Sequence, residues 1–347
     1  MALIHGGQLQ QVAKQYNIDQ KSWLDLSTGI APFSYPIPKI PEKYYQSLPQ
    51  VNDNLAEAAK HYYNAESLLV TNGSQAIIKL LPALWREKNK QSTTVYLPEQ
   101  GYKEHELAWK TAGFSLCKYQ DNLPKLTEIK DNPVLVVINP NNPTGQLHQR
   151  SELIKYQEKL KNSGGLLVLD EAFMDVVEPS QSMTGFVNQY KNTLVLRSFG
   201  KFFGLAGIRI GFLIGDNAWL TKLNEQLGPW QVNGPAQFIS QKAFIDIGWQ
   251  KQQQQRLSLS ALQLRTVLIK NIPDNLINKI SGTDLFQTVY FKEGVDVESY
   301  SITLCKQGVY VRLTDDKQAL RFGLAKTEQL EKLAKALANL SSITSIN

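Results

Sequence analysis

Short apolar runs rich in β-branched residues alternate along the chain with longer amphipathic stretches. Helices covering both faces of a mostly parallel sheet produce this pattern, so it predicts an α/β fold. The spacing predicts strands over residues 67–71, 94–97, 134–138, 166–169, 193–197 and 208–214, each ending beside a polar or glycine-rich segment. It predicts helices over 75–86, 151–161 and 249–270, and the glutamine run 252–255 in the last reads as a solvated helix face. Past Gly228-Pro229-Trp230 the pattern changes to a long helix, short strands near 284–291, 308–313 and 319–324, and a final helix from Thr327. That order predicts a smaller α+β domain. Ala31-Pro32-Phe33-Ser34-Tyr35-Pro36-Ile37-Pro38 cannot be regular helix and is expected to carry an N-terminal arm across the body of the protein. The expected division is an arm over 1–40 that joins the small domain, a large domain over 41–235 and a small domain over 236–347.

Composition narrows the class. The 347 residues are 42% hydrophobic and 20% charged, an ordinary globular profile. At roughly 150 residues per domain they make about two domains. No apolar run reaches the ~20 residues of a membrane helix, and Met1-Ala2-Leu3-Ile4-His5-Gly6-Gly7 lacks the basic flank and apolar stretch of a secretory signal. The expectation is a cytoplasmic protein with no membrane partner. Cys117 and Cys305 form no CxxC pair, which argues against a disulfide framework and against a metal site. The net charge of +6 is spread along the chain, so nucleic-acid binding has little support while a small anionic ligand fits.

Open α/β sheets bind ligands beyond the carboxyl ends of their strands, so the polar segments that follow the strands form one candidate site. Thr71-Asn72-Gly73-Ser74-Gln75 opens a helix whose backbone N–H groups and positive dipole end suit a phosphate. Asn139-Pro140-Asn141-Asn142-Pro143-Thr144-Gly145 is a run of turn formers at the end of the strand 134–138. Leu169-Asp170-Glu171-Ala172-Phe173 places an acid pair directly after an apolar strand, where Asp also serves as a helix N-cap. Ser198-Phe199-Gly200-Lys201 precedes Gly207-Ile208-Arg209-Ile210-Gly211. A Walker phosphate loop is excluded, because Phe202 follows Lys201 and Val195 stands where its first glycine would fall. No GxGxxG follows the first strand, which disfavours a nicotinamide dehydrogenase.

Asn-Asn-Pro-Thr-Gly, Asp-Glu-Ala-Phe, Ser-x-x-Lys and Arg-x-Gly, in this order and spacing, resemble the fold-type I pyridoxal-phosphate enzymes over nearly the whole chain. The branch is that of histidinol-phosphate aminotransferases and L-threonine O-3-phosphate decarboxylases. His5-Gly6-Gly7, Trp23-Leu24-Asp25-Leu26-Ser27-Thr28-Gly29-Ile30, Gly73-Ser74-Gln75-Ala76-Ile77, Tyr102-Lys103-Glu104-His105 and Pro229-Trp230 are more similar to the decarboxylases. The resemblance implies a three-layer, aspartate aminotransferase-like large domain with a mostly parallel sheet, a smaller α+β domain, and a homodimer. It implies pyridoxal 5'-phosphate as cofactor. Lys201 would bind it covalently, Asp170 would pair with its pyridine nitrogen, Asn142 would hydrogen-bond its phenolic oxygen and Tyr102 would stack on its ring. Its phosphate would lie against the backbone of Ser74 and Gln75, with Ser198 and Arg209 completing the cage.

Arg312 and Arg321 fall where the family places anion-binding arginines. With His5 and Asn142 they would take a small phosphorylated amino acid as substrate. The implied reaction is decarboxylation of L-threonine O-3-phosphate to (R)-1-aminopropan-2-yl phosphate in cobalamin biosynthesis. The alternative is transamination of histidinol phosphate or a related phosphorylated amine. Phe173 stands where the aminotransferases usually carry Tyr, Ala31 where close relatives have Asn, and Leu48 where many offer a Tyr to the neighbouring subunit's cofactor phosphate. His105 reads as a structural histidine, and His61 and His148 as surface residues.

Overall fold

A computed structural model describes residues 6–91 and 93–339; His5, expected at the substrate phosphate, lies outside the described residues. In chain order the strands are β1 (Leu24–Leu26), β2 (Leu68–Thr71), β3 (Thr94–Pro98), β4 (Ser115–Tyr119), β5 (Val134–Ile138) and β6 (Leu166–Asp170). They continue with β7 (Thr193–Ser198), β8 (Gly211–Ile214), β9 (Ile277–Thr283), β10 (Phe286–Phe291), β11 (Val309–Leu313) and β12 (Ala319–Gly323). The helices are α1 (Leu9–Tyr16), α2 (Lys43–Gln46), α3 (Asp53–Tyr63), α4 (Gln75–Lys88), α5 (Lys103–Thr111) and α6 (Arg150–Asn162). After them come α7 (Phe199–Phe202), α8 (Asn217–Leu227), α9 (Gly234–Ile245), α10 (Ile247–Asn271), α11 (Val297–Lys306) and α12 (Leu330–Ala338). The chain divides into two compact units, one of Ser34–Asn142 and Gln146–Lys251, the other of Met1–Phe33, Pro143–Gly145 and Gln252–Asn347.

Among the described residues the larger unit holds a seven-stranded sheet in the order β2-β8-β7-β6-β5-β3-β4. Only β8 runs antiparallel to its neighbours; the other pairs are parallel. Every residue of β5 and of β6 is buried, the state expected of central parallel strands covered on both faces. Ile77, Ile78, Leu81 and Trp85 of α4 pack with Val95, Val134, Leu166 and Leu194 from the sheet. A second cluster joins Phe199, Phe203, Phe212, Phe244 and Trp249, with Phe199 and Phe203 stacked at 4.2 Å. Since β2 and β7 both oppose β8, the carboxyl ends of β2, β3, β5, β6 and β7 share one edge, and the start of β8 lies on that same edge.

The smaller unit holds, among the described residues, a five-stranded sheet in the order β1-β11-β12-β10-β9. The β1–β11 pair is parallel and the others are antiparallel. The Pro143–Gly145 turn sits on this sheet: Ser281 Oγ donates to the Thr144 carbonyl at 2.6 Å and Thr288 Oγ1 to the Pro143 carbonyl at 2.7 Å. Gly145 has φ +73°, and a Cβ there would fall 2.5 Å from the Gly282 carbonyl oxygen, so both conformation and space require glycine.

Three expectations need correction. The strand expected over 208–214 begins at Gly211, because residues 206–208 form a 3-10 turn and Arg209 adopts φ +58°, which no strand accommodates. The glutamine run is not wholly solvated: Gln253 is buried, and its amide donates to the Phe33 carbonyl at 2.8 Å. His148 is buried rather than at the surface, with its backbone held by the Asn139 side chain and its Nδ1 3.3 Å from Glu152. Burial alone pushes its pKa down, opposed by Glu152. No helix among the described residues is long and apolar enough to cross a membrane.

Candidate active site

The shared strand edge brings the sequence motifs together. Gly73, Ser74 and Gln75 follow β2, Tyr102 follows β3, Asn142 follows β5, Asp170 ends β6, and Ser198 and Lys201 lie at the β7–α7 junction. Arg209 precedes β8, whose reversed direction returns it to the same edge. All of these residues line one cavity of the larger unit, together with Ile138, Ala172, Phe173, Gly200, Ala206 and Ile210.

One end of the cavity gathers backbone N–H groups and two donor side chains. Ser74 is the N-cap residue of α4 and makes no side-chain cap bond, so the N–H groups of the first turn point out of the helix end. Gly73 has φ +71°, and a Cβ there would lie 2.9 Å from Arg209 Nη2. The left-handed backbone of Arg209 turns its side chain toward that glycine, and its Nη1 donates to the Ala206 carbonyl at 3.3 Å. Amides, the Ser198 hydroxyl and a guanidinium together form a donor set suited to a phosphate.

Asp170 is buried, and each of its carboxylate oxygens has a protein donor. Oδ1 accepts the Ala172 N–H at 3.1 Å, and Oδ2 lies 3.0 Å from Nε2 of the buried His105. A carboxylate only accepts, so the imidazole presents Nε2–H to it. In the sequence His105 reads only as a structural histidine. The available signal was its position three residues after Tyr102, one helical turn along α5, but its partner is 65 residues away. Tyr102 and His105 also meet edge to face, with ring centroids 6.3 Å apart. Burial pushes the Tyr102 phenol up to about 12, helped by the carboxylates of Glu104 and Asp170. The Tyr102 hydroxyl therefore keeps its proton across the neutral range.

Lys201 Nζ lies 5.5 Å from the centroid of the Phe173 ring, so an apolar face without a hydroxyl borders the amine. Arg197 on β7 is buried between two carboxylates. Its Nη1 is 3.0 Å from Glu171 Oε2 and its Nη2 is 2.6 Å from Asp175 Oδ1. Burial works against that cation, but Asp175 and Glu171 outweigh it and raise its pKa. Glu171 also accepts from Ser182 Oγ at 2.5 Å and from the Met183 N–H at 2.8 Å. Arg197 and Glu171 immediately precede Ser198 and follow Asp170, so the ion pair ties together the two strand ends that present them. Asn142 is steadied by its neighbour Asn141, whose side chain donates to the Gln100 carbonyl at 2.7 Å and whose N–H donates to Gln146 at 2.8 Å.

Residues 43–337 match the aminotransferase class I and II family. The chain belongs to that family. As an aminotransferase-family chain it is an enzyme with the α/β fold of that class, and its similarities extend over nearly its full length. It is 39% identical over 327 residues to the threonine-phosphate decarboxylase of Pseudomonas aeruginosa, covering 94% of each chain. It is 35% identical over 344 residues to a threonine-phosphate decarboxylase of a Sinorhizobium species, covering 97% of this chain and 98% of the relative. Its fold matches the histidinol-phosphate aminotransferase of Sinorhizobium meliloti, solved in complex with pyridoxal-5'-phosphate, with a TM-score of 0.74 at 19% identity and 99% coverage of both chains.

In the smaller unit of this aminotransferase-family chain, Arg312 and Arg321 are register partners across β11 and β12. Arg312 Nη2 is 2.7 Å from Asp315, and Arg321 Nη2 donates to the Ser27 carbonyl at 2.6 Å. Gly323 lets this backbone approach, since a Cβ there would fall 2.0 Å from the Thr28 carbonyl oxygen. Burial first, and the Arg312 cation second, push the Arg321 guanidinium down to about 10. A buried cation facing a second cation gains from any anion that joins them.

Proposed function

We propose that the chain is a pyridoxal-phosphate-dependent decarboxylase that converts L-threonine O-3-phosphate to carbon dioxide and (R)-1-aminopropan-2-yl phosphate, a step of cobalamin biosynthesis. The reading rests on Lys201, Asp170 and an anion cradle lining one cavity, in a chain 39% identical to a threonine-phosphate decarboxylase. The residues present fit the cofactor. Gly73 keeps open the space that a Cβ would fill beside Arg209, and the surrounding donors are those a phosphate needs. Asp170 supplies the buried acceptor that a protonated ring nitrogen requires.

When bound, pyridoxal phosphate supplies a sink for the electron pair left when a bond to the substrate's α-carbon breaks. Lys201 would hold that group through its amine and deliver the proton that replaces the lost carboxylate at the α-carbon. Asp170, oriented by His105, would hold the proton of the ring nitrogen. Asn142 would donate to the phenolic oxygen, Tyr102 would cover one ring face, Phe173 would border the site, and Ser74, Gln75, Ser198 and Arg209 would hold the phosphate. Arg312 and Arg321, with His5 and Asn142, would hold the carboxylate and phosphate of the substrate. Which α-carbon bond breaks would be decided by which one these groups keep aligned with the ring's π system.

The working form on this reading is a cytoplasmic homodimer. The exposed apolar side chains Tyr45, Leu48, Val51 and Trp230 support the dimer. Sedimentation should give twice the mass of one chain. The deciding assay is carbon dioxide release from L-threonine O-3-phosphate, which should equal substrate consumed and vanish in Lys201→Ala. No release from cofactor-loaded protein, or stoichiometric conversion of the cofactor to its amine form by an amino donor, would reject decarboxylation in favour of transamination.

A further inference from the structure

Glu104 does not line the cavity, yet it is buried and bonded to a side chain that does. Its Oε2 accepts from Gln75 Nε2 at 2.5 Å, and Gln75 Oε1 accepts the Tyr102 hydroxyl at 2.9 Å. Gln75 and Tyr102 both line the cavity. We infer that Glu104 is a positioning residue which, through the carboxamide of Gln75, fixes the hydroxyl of Tyr102 and with it the plane of the ring that would cover the cofactor. The inference rests on the reading of this cavity as the pyridoxal-phosphate site.

Donor and acceptor chemistry gives the relay one direction. A carboxylate has only acceptors, so the Gln75 carboxamide must turn its NH2 toward Glu104. Its oxygen is then the atom that faces Tyr102, and the phenol has to donate. An amide with no such neighbour could present either end, because its two ends are nearly equal in size. Glu104 therefore commits the Tyr102 proton to Gln75 and keeps it from any phosphate in the cavity. His105, one residue later, meets the Tyr102 ring edge to face and holds Asp170. The first turn of α5 thus governs two cofactor contacts at once, the ring face through Glu104 and the ring nitrogen through His105. Gln75 links the turn to α4, because its own backbone N–H lies at the helix end that forms the anion cradle.

The relay can be tested with the full chain, both without cofactor and during its titration. Tyrosine labelled at Cζ with carbon-13 gives one signal per residue, and the Tyr102 signal is identified by its loss in Tyr102→Phe. Glu104→Gln frees the Gln75 amide to turn over, so it should move the Tyr102 signal while the other tyrosine signals stay in place. Gln75→Met, which keeps the backbone of α4 but removes the relay, should move it likewise and serves if Glu104→Gln fails to fold. In fluorescence titrations with pyridoxal phosphate, Glu104→Gln should raise the dissociation constant about tenfold, as expected for the loss of one hydrogen bond. The double variant Tyr102→Phe/Glu104→Gln should bind no more weakly than Tyr102→Phe alone. An unmoved Tyr102 signal in these variants, or a double-variant effect equal to the product of the singles, overturns the inference. Absence of carbon dioxide release by wild-type protein that binds pyridoxal phosphate rejects the proposed reaction instead, and leaves the relay to be decided by these measurements.

Discussion

The imidazole of His105 donates through Nε2 to the Asp170 carboxylate at 3.0 Å, with both side chains buried, so the acid that ends β6 is oriented by a residue of helix α5. Replacing His105 by Leu removes that donor. A hydrogen bond to a charged group contributes about 1.5–3 kcal/mol, so pyridoxal phosphate should bind about 10- to 100-fold more weakly. His105→Gln can still donate and should recover part of the loss. Titration of each variant with the cofactor decides the point; unchanged affinity in His105→Leu would contradict it.

Gly73 has φ +71°, a strained conformation for any residue with a side chain, and a Cβ there would displace the Arg209 guanidinium, 2.9 Å away. Gly73→Ala should therefore lower folding stability by about 1 kcal/mol or more and weaken binding of the cofactor phosphate. Gly207 is an internal control, since a Cβ there meets nothing within 4 Å. Gly207→Ala should change stability by less than about 0.5 kcal/mol. Urea unfolding and cofactor titration of the two variants should separate them.

Arg197 neutralises two buried carboxylates, Glu171 and Asp175. Arg197→Met leaves both without a cation and should cost about 3–5 kcal/mol in urea unfolding. Replacing both acids by their amides in the same protein should return much of that loss. Equal stability of Arg197→Met and the wild type would contradict the assigned pairing.

Burial, above all, pushes the Tyr102 phenol up to about 12 in the folded chain from an ordinary value near 10. The folded state keeps the phenolic proton after the unfolded chain has lost it. The stability this contributes is whole below about pH 10 and is lost as the pH rises toward about 12. Tyr102→Phe lacks this dependence. Between about pH 9 and pH 12 the stability of the wild type should fall by about 2 kcal/mol more than that of the variant, measured by unfolding at several pH values. Parallel stability curves would count against the perturbed phenol.

Much of the molecule can be read from local pattern. The apolar run Val134–Ile138 is a strand with the expected ends, because a short, β-branched-rich apolar run bounded by turn formers suits a strand buried on both faces. The edge strand β4 leaves no clear pattern in the sequence, because Ser115–Tyr119 mixes polar and apolar residues and is only partly buried. The Arg-x-Gly motif marks Arg209 as a candidate for the cavity that the structure shows it to line. Its left-handed backbone was not, since a sequence of Ile, Arg and Ile reads as extended chain.

The primary sequence by itself determined the central buried strands and the helices 75–86, 151–161 and 249–270 to within a few residues, and which polar residues stand at the strand ends, because hydrophobic periodicity and turn chemistry act over a few neighbours. Tertiary structure alone decided that β8 runs against its neighbours and so delivers Arg209 to the edge that carries Lys201 and Asp170. It also decided that His105 meets Asp170, that Glu104 reaches Tyr102 through Gln75, and that Arg197 sits between Glu171 and Asp175. Most of these partners lie tens of residues apart. Their pairing is selected by strand order and by the cost of leaving a buried polar group unbonded, neither of which leaves a periodic trace in the chain.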